Sequence, residues 1–347
     1  MLLSPSKYPR GLAYDGQYLW NVDYQADSLY QIKLLDTTLY TQDEPKREML
    51  DYTHQFRNYG PGEIMSLDIY LAVPRDLPFQ KLLDTLIFNP DPDEYVTDKW
   101  GQRLARFHYD NIDAGASTTV TMQAKAELYQ TRYFIFPDKV GTLTDIPKDI
   151  RKLYLSDDTK YWVDDPFIQK TAREIVGDET NCYWIARKIF NHVIEKIDFE
   201  LVGGWDVAPK VLKRGTGSCS EYSFVYIALC RAVGLPARLA GSVIIRGDDA
   251  STDVIFHRWV EVYLPNYGWI PIDPQGGDRD RPADQASAIG YLNNRFLITT
   301  LGGGGSEYLE WGYNSNEFWQ SRGKCKIYVE HTGEWSPLPP EKESGKE

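Results

Sequence analysis

Residues 215–236 read GTGSCSEYSFVYIALCRAVGLP, and this stretch decides how the chain is interpreted. Ser218 and Glu221 have the S-x-x-E spacing of a capping box, which predicts that Ser218 is the N-cap and Cys219 the first residue of a helix. The closing Gly-Leu-Pro is typical of a helix end. At a helix start, unpaired N–H groups and the positive end of the dipole favour a thiolate. The stretch therefore predicts a reactive cysteine at the start of a helix.

Two later segments supply side chains that can activate this thiol. Residues 255–263, IFHRWVEVY, alternate as a strand, and residues 269–274, WIPIDP, form a returning strand after an Asn-Tyr-Gly turn. A hairpin of this length can bring Asp273 beside His257. A carboxylate orients an imidazole, and the imidazole takes the thiol proton and later gives it to the leaving group. Cys219, His257 and Asp273 are therefore the predicted catalytic triad.

Three blocks of sequence resemble the transglutaminase-like superfamily: G-x-G-x-C at residues 215–219, H-x-W-x-E at 257–261 and G-W-x-P-x-D-P at 268–274. Residues 231–238, RAVGLPAR, fit the same family pattern. The family includes transglutaminases, peptide N-glycanases and many bacterial and archaeal proteins, and it has the papain-like cysteine protease fold. The resemblance covers about residues 165–275. It implies that the cysteine is the nucleophile, the histidine the general base and acid, and the aspartate the orienting group.

The donors for an oxyanion are predicted partly from the residues and partly from this resemblance. The backbone N–H of Cys219 is a natural donor to a tetrahedral intermediate. Family members add a side-chain donor upstream of the cysteine, which would here be the indole of Trp205; packing under the loop is its alternative role. Gly217 and Trp259 complete the predicted oxyanion and substrate positions. One departure is Arg258, where the family commonly has a small residue; we expect it to project from the opposite face without removing activity.

The patterns in the rest of the chain predict an α+β fold. Residues 1–48 contain short strands that resemble one blade of a β-propeller, with a hairpin extending a neighbouring sheet as the preferred interpretation. Residues 49–145 contain segments of alternating apolar and polar residues separated by turn residues, which favours an immunoglobulin-like β-sandwich. Residues 160–335 are the expected transglutaminase-like catalytic domain, with its cysteine-bearing helix packed on an antiparallel sheet. The stretch 136–166 is expected to be a linker, and residues 336–347 a disordered tail.

Composition and charge exclude several classes of partner. The 347 residues carry a formal net charge of −12, and nucleic-acid binding needs clustered Lys and Arg, so nucleic acid is not expected. No apolar run is long enough for a membrane span, and no signal peptide is readable, which predicts a cytoplasmic location unless a leader has been removed. No cysteine lies in a C-x-x-C pair and histidine is scarce, so no metal site or cofactor is predicted. The remaining thiols are expected to be structural: Cys182, Cys230 and Cys325.

Three functions remain open for such a chain. A cysteine-dependent hydrolase would cleave a peptide or other amide bond through a thioester. A protein-glutamine transamidase would pass the same thioester to an amine, and hydrolysis is preferred because water is the less demanding acceptor. A non-catalytic module that binds a protein or glycan has no physical need for all three triad side chains. The expected partner is a peptide or protein substrate, with a glycopeptide as a variant.

Overall fold

The computed structural model describes residues 4–16, 18–33, 38–201, 204–247 and 250–339. Its strands, in chain order, are β1 (Pro9–Tyr14), β2 (Tyr18–Asp23), β3 (Ser28–Lys33), β4 (Tyr40–Ala72), β5 (Gln80–Leu82), β6 (Ile87–Asn89), β7 (Glu94–Thr97), β8 (Arg103–Ile112), β9 (Ser117–Tyr133), β10 (Asp198–Phe199), β11 (Thr216–Gly217), β12 (Ala237–Ile244), β13 (Ser251–Asp253), β14 (His257–Leu264), β15 (Gly268–Ile272), β16 (Tyr291–Leu292), β17 (Phe296–Gly302) and β18 (Ser315–Pro337). Its α-helices are α1 (Lys148–Tyr154), α2 (Pro166–Val176), α3 (Cys182–Lys196), α4 (Ala208–Arg214), α5 (Cys219–Ala232) and α6 (Pro282–Ser287). Measured against the thickness of a bilayer, none of these described helices is long and apolar enough to cross it.

The first compact unit ends at Leu39. It contains β1, β2 and β3, which pair in that order as an antiparallel sheet. A turn at Asp15 joins the first two strands, and the backbone N–H of Asp15 donates to Tyr18 O over 3.1 Å. The unit is shorter than the segment 1–48 predicted from the sequence, because Tyr40 already begins β4. Its likeness to a propeller blade stays a prediction.

The second unit begins with a curled sheet that has nine strands over the described residues. Its central strand is β4, whose 33 residues pair with β18 along one edge and with β9 and β8 along the other. Alternate residues from Glu48 to Asn58 are buried, as expected for a strand with one face on the core. The predicted β-rich region therefore exists, but its strands form one sheet with the end of the chain. An immunoglobulin-like pair of separate sheets is not confirmed.

A helical layer packs on a second, antiparallel sheet of order β15-β14-β12-β17. Helix α5 is the centre of this layer, because nearly every residue from Ser220 to Arg231 is buried, as in a helix covered on all sides. Helices α2, α3 and α4 all contact it, and β14 lies beneath it. The mixed α and β class, with a cysteine-bearing helix on an antiparallel sheet, is thus confirmed.

The stretch predicted as a linker is part of this helical core. Val140, Ile146, Tyr161 and Val163 are buried in the same hydrophobic cluster as α5. The linker interpretation is therefore wrong. It relied on the proline and aspartate content and gave too little weight to the apolar residues of this stretch, which pack into the core. At the other end of the chain, β18 continues through residues 336 and 337, and residues 340–347 of the predicted disordered tail lie outside the described residues.

Candidate active site

Cys219 is the first residue of α5, as the sequence predicts. The buried side chain of Glu221 holds the preceding loop, because its Oε2 accepts the N–H of Ser218 over 2.9 Å. Its Oε1 accepts the N–H of Asp206 and a guanidinium N–H of Arg214, each over 2.9 Å. One carboxylate therefore fixes the helix start and the upstream loop together. The thiol itself is half-buried.

His257 and Asp273 meet across the predicted hairpin. His257 begins β14, Asp273 follows β15, and the two strands pair antiparallel. The imidazole Nε2 lies 2.7 Å from Asp273 Oδ2, and the backbone N–H of Gly276 donates to Asp273 Oδ1 over 2.8 Å. Because Nε2 is engaged by the carboxylate, Nδ1 is the nitrogen left for the thiol, and the Cys219 side chain hydrogen-bonds to the His257 side chain. The structure thus brings the three predicted residues together.

The electrostatics of the three groups favour an ion pair between thiolate and imidazolium. Burial alone would raise the pKa of the Cys219 thiol, but the hydrogen bond and charge of His257 outweigh it and the pKa is lowered. Burial likewise opposes the charge on His257, yet the Asp273 carboxylate and the Cys219 thiolate raise the pKa of the imidazole to about 10. The pKa of Asp273 is lowered, because His257 overcomes the effect of burial. The lowered pKa of Cys219 favours the thiolate, which is the nucleophilic form of cysteine.

Arg258 adds a second positive charge beside the thiol. Its guanidinium is buried and lies 4.9 Å from the ring centroid of Trp205 and 4.2 Å from that of Tyr313. Among the described residues its Nε and Nη1 have no hydrogen-bond partner. Both the Arg258 charge and its backbone N–H lower the pKa of Cys219. The side chain packs away from Trp259, as expected from strand alternation, but its charge still acts on the site.

Trp259 and Gly217 are two of the three predicted oxyanion and substrate positions. The ring of Trp259 is buried, stacks on the imidazole of His257 at 5.8 Å and packs on Phe296 at 5.1 Å between centroids. Gly217 pairs with Phe199 in the short β10–β11 ladder, and a Cβ there would meet a side-chain atom of Val211 at 3.2 Å. Trp259 therefore packs directly on the triad, and Gly217 lies where a side chain would crowd Val211. Their roles as oxyanion or substrate positions stay predictions.

Trp205 packs between helix α5 and Arg258 of β14. Its ring packs edge-on against Phe224 with 6.2 Å between centroids, and it lies beneath the Arg258 guanidinium. This is the packing role that the sequence left open. Its role as an oxyanion donor stays a prediction.

An open cavity of about 730 Å³ lies beside these residues. Trp205 and Tyr313 line it, as does the loop of Val254, Ile255 and Phe256 that leads into His257. Val254 and Ile255 are exposed, which gives the cavity an apolar rim. The loop is shaped by a non-glycine residue in the left-handed region, because Phe256 has a φ of 61°.

Sequence reasoning missed several residues that shape the site. Asp253 is fully buried, and its Oδ1 accepts the N–H groups of Ile255 and Phe256 over 3.2 and 3.0 Å, so it holds the loop before His257. Gly276, whose N–H donates to Asp273, was also missed. A glycine so soon after the Asp-Pro pair is the feature of the sequence that could have indicated a close approach to the carboxylate. Tyr313 had no local signal, because it is brought in from a distant part of the chain.

The other cysteines are removed from this chemistry. Cys182 and Cys230 are buried, and burial raises the pKa of both thiols, that of Cys182 to about 12. Cys325 is half-buried on β18. The surroundings of Cys219 lower the pKa of its thiol, in contrast to those of the two buried thiols Cys182 and Cys230.

A thiol at the start of a central buried helix, facing an imidazole and a carboxylate on adjacent antiparallel strands, is the arrangement of the papain-like cysteine protease fold. Residues 169–274 match the model of the transglutaminase-like superfamily. Residues 169–274 are therefore similar to a transglutaminase-like core, and the resemblance seen in the three sequence blocks is confirmed.

Two similar proteins extend this comparison. The solved structure of a candidate cysteine protease from Cytophaga hutchinsonii superposes with a TM-score of 0.60, covering 88% of this chain and 94% of that one at 17% identity. At that identity the likeness shows a shared fold. An uncharacterized protein of Haemophilus influenzae is 25% identical over 146 residues, which is 35% of this chain and 40% of that relative's length. The cytoplasmic location predicted from the sequence stays a prediction.

Proposed function

We propose that this protein is a cysteine-dependent hydrolase of peptide or related amide bonds, with Cys219 as nucleophile, His257 as general base and acid, and Asp273 as the group that orients the imidazole. The observation that carries the proposal is the shared imidazole of His257. Its Nε2 lies 2.7 Å from Asp273, and its side chain also hydrogen-bonds to the thiol at the start of α5. A binding module has no use for this pairing of lowered thiol pKa and raised imidazole pKa.

The reaction follows from these positions. The Cys219 thiolate attacks the amide carbonyl carbon, and a C–S bond forms as the carbonyl electrons move to oxygen. When the oxyanion collapses, the C–N bond breaks and the protonated His257 gives its proton to the departing amine. His257 then takes a proton from water and the hydroxide attacks the thioester. The C–S bond breaks, which releases an acid and restores the Cys219 thiolate beside the protonated His257.

The backbone N–H of Cys219 is the proposed first oxyanion donor. As the first residue of α5, Cys219 has an N–H without a partner inside the helix, and the dipole of the helix adds positive potential there. Donors fixed in position before the reaction are worth more than solvent, because they need no reorganisation. The indole N–H of Trp205 is the proposed second donor.

The cavity supports a peptide or protein as the substrate. Its rim carries the exposed apolar side chains of Val254 and Ile255, and its floor includes Trp311 and Tyr313. Apolar and aromatic walls suit amino-acid side chains, and a chain of net charge −12 offers little attraction for a polyphosphate backbone.

A library of quenched peptides and amides, assayed in parallel with dansyl-cadaverine incorporation, tests the proposal. Cys219→Ala should abolish turnover with the fold intact, and Asp273→Asn should lower turnover. Cys325→Ser, which removes a half-buried thiol on β18, should have no effect on turnover. Dye incorporation without net hydrolysis would identify a transamidase. Selective iodoacetamide labelling of Cys219 at mild pH, slowed by His257→Ala, reports on the activated thiol without any substrate. Equal, slow labelling of all four cysteines would leave only the binding module.

A further inference from the structure

Two of the five histidines lie directly opposite each other in the curled sheet. His54 on β4 pairs in register with His331 on β18, and their ring centroids are 4.6 Å apart. Glu317 lies on the same strand as His331 but 14 positions earlier, which in a straight strand would separate them by roughly 45 Å. The sheet instead curls back, so that Glu317 Oε2 lies 3.7 Å from His54 Nε2. The curl therefore brings three ligating side chains to one point.

The geometry of the cluster suits a small cation. One ligand atom from each of His54, Glu317 and His331 can be chosen so that all three lie within 4.8 Å of one another. Ligand atoms around a tetrahedral zinc ion, with bonds of about 2.0–2.1 Å, are about 3.3 Å apart. One pair, His54 Nε2 and Glu317 Oε2, is already close to that spacing at 3.7 Å. Two histidines and one glutamate, with a fourth position open, form a donor set that proteins use for zinc.

Two buried nitrogen atoms of the cluster lack partners, which ordinary core packing does not explain. His54 is fully buried in a row of otherwise mainly apolar residues, and His331 is half-buried. Within the described part of the chain, the Nε2 atoms of both rings make no hydrogen bond. Buried polar atoms are normally paired, because an unpaired one costs about 1–3 kcal/mol. A bound cation would satisfy both nitrogens at once.

The surroundings hold one of the rings ready to coordinate. His54 Nδ1 lies 3.0 Å from Ser315 Oγ, which in turn lies 2.7 Å from the hydroxyl of Tyr52. With its proton on Nδ1 and donated to Ser315, His54 presents a lone pair at Nε2, as in metal sites where a second hydrogen bond fixes the ring.

We propose that His54, Glu317 and His331 bind a single divalent transition-metal ion, with zinc preferred over magnesium, and that its open coordination position faces the cavity of about 730 Å³. Glu317 and His331 line that cavity together with Trp205 and Tyr313 of the candidate active site. Imidazole donors select zinc and its neighbours over magnesium and calcium, which prefer oxygen. The sequence predicted no metal site because it has no C-x-x-C pair and few histidines, whereas this cluster uses no cysteine and two of the five histidines.

Zinc titration of the full chain in the Cys219→Ala background tests the proposal, since that background removes a competing thiolate. One equivalent should bind after chelator treatment, measured by calorimetry and by competition with a chromophoric chelator. Cobalt in place of zinc should give the visible absorption of a tetrahedral complex. His331→Gln and Glu317→Gln should each weaken zinc binding at least about 100-fold. His108→Gln, which removes a partly exposed histidine beside Asp68, is the matched control and should leave binding unchanged.

Ser315→Ala keeps all three ligands and should weaken binding by about 10–100-fold through the lost support of His54. Circular dichroism of each variant without metal separates a lost ligand from a lost fold. No stoichiometric binding in the Cys219→Ala protein overturns the proposal. So does binding that both ligand variants leave unchanged, that His108→Gln abolishes, or that magnesium matches in strength. Because no turnover is measured, these outcomes are independent of the proposed hydrolase activity.

Discussion

Replacing Gly276 by alanine is the sharpest test of the orienting role of Asp273, because it adds one methyl group beside the carboxylate. The backbone N–H of Gly276 donates to Asp273 Oδ1 over 2.8 Å. An ideal Cβ at this position would lie 2.5 Å from Asp273 Oδ2, the oxygen that contacts His257. The backbone of Gly276 is not in the left-handed region, so the substitution changes the steric contact and leaves the backbone conformation accessible.

The size of the effect follows from these distances. To reach an ordinary contact of 3.4 Å, the methyl group and Oδ2 must move apart by about 0.9 Å. A displacement of this size breaks the 2.7 Å contact between Asp273 and His257 Nε2. Misplacing a catalytic group by about 1 Å can cost on the order of 100-fold in rate, and we expect kcat/KM to fall by about that factor. The extra methyl group should cost about 1–3 kcal/mol of unfolding free energy.

The pH dependence distinguishes lost orientation from a general loss of fold. The carboxylate of Asp273 helps to raise the pKa of His257 to about 10, so displacing it lowers that pKa and moves the alkaline limb of the rate profile to lower pH. The thiol of Cys219 loses part of its imidazolium partner, so the acid limb moves to higher pH.

Iodoacetamide labelling of Cys219 and peptide turnover should both be followed from pH 4 to 11. Gly11→Ala is the matched control, since a Cβ there meets nothing within 4 Å among the described residues. A Gly276→Ala protein with an unchanged alkaline limb and unchanged turnover would refute the assignment of Asp273.

Further predictions concern the charge and the donors of the site. In the unaltered protein, kcat/KM should fall as pH rises through about 10, where His257 loses its proton, and should also fall on the acid side as Cys219 is protonated; a flat alkaline profile measured with a non-ionising peptide would contradict the imidazolium assignment. Trp205→Phe keeps an aromatic ring at this position but removes the indole N–H, and turnover should drop about 100-fold with little change in KM, whereas unchanged turnover would leave Trp205 a packing role alone. Arg258→Met removes the buried charge, so Cys219 labelling at pH 6 should become slower than in the unaltered protein, as read by mass spectrometry of the labelled peptide; equal rates would show that the guanidinium does not act on the thiol.

The sequence predicted the centre of the site well, because short-range rules determine it. The S-x-x-E spacing placed Cys219 at the helix start, and the structure adds that Glu221 also ties down the upstream loop. The length of the hairpin between His257 and Asp273 determines that the two side chains lie close together, since two short antiparallel strands joined by a tight turn have few possible registers.

Pairings between distant segments could not be predicted in the same way. Strand β18 pairs with β4 from Leu71 opposite Ser315 to Glu48 opposite Pro337, and no local pattern identifies a partner so far along the chain. An alternating strand shows that one face is buried but not which strand lies beside it. For the same reason the meeting of His54 and His331 was not foreseen, and two apparently unrelated histidines became neighbours only through the ladder.

The structure also indicates why similarity to a transglutaminase-like core does not determine the substrate. The matched segment, residues 169–274, contains the triad and the loop of Val254 and Ile255. Trp205 of the same segment also lines the cavity, whereas other walls come from outside the segment: from β4 through Tyr52, from the loop of Trp311 and Tyr313, and from β18. If the proposed hydrolase binds its substrate in this cavity, the substrate contacts β4 and β18, which pair between residues far apart in the sequence. On that proposal, we expect changes on the cavity side of β4 or β18 to alter which peptide is cleaved while leaving the reactivity of the triad unchanged.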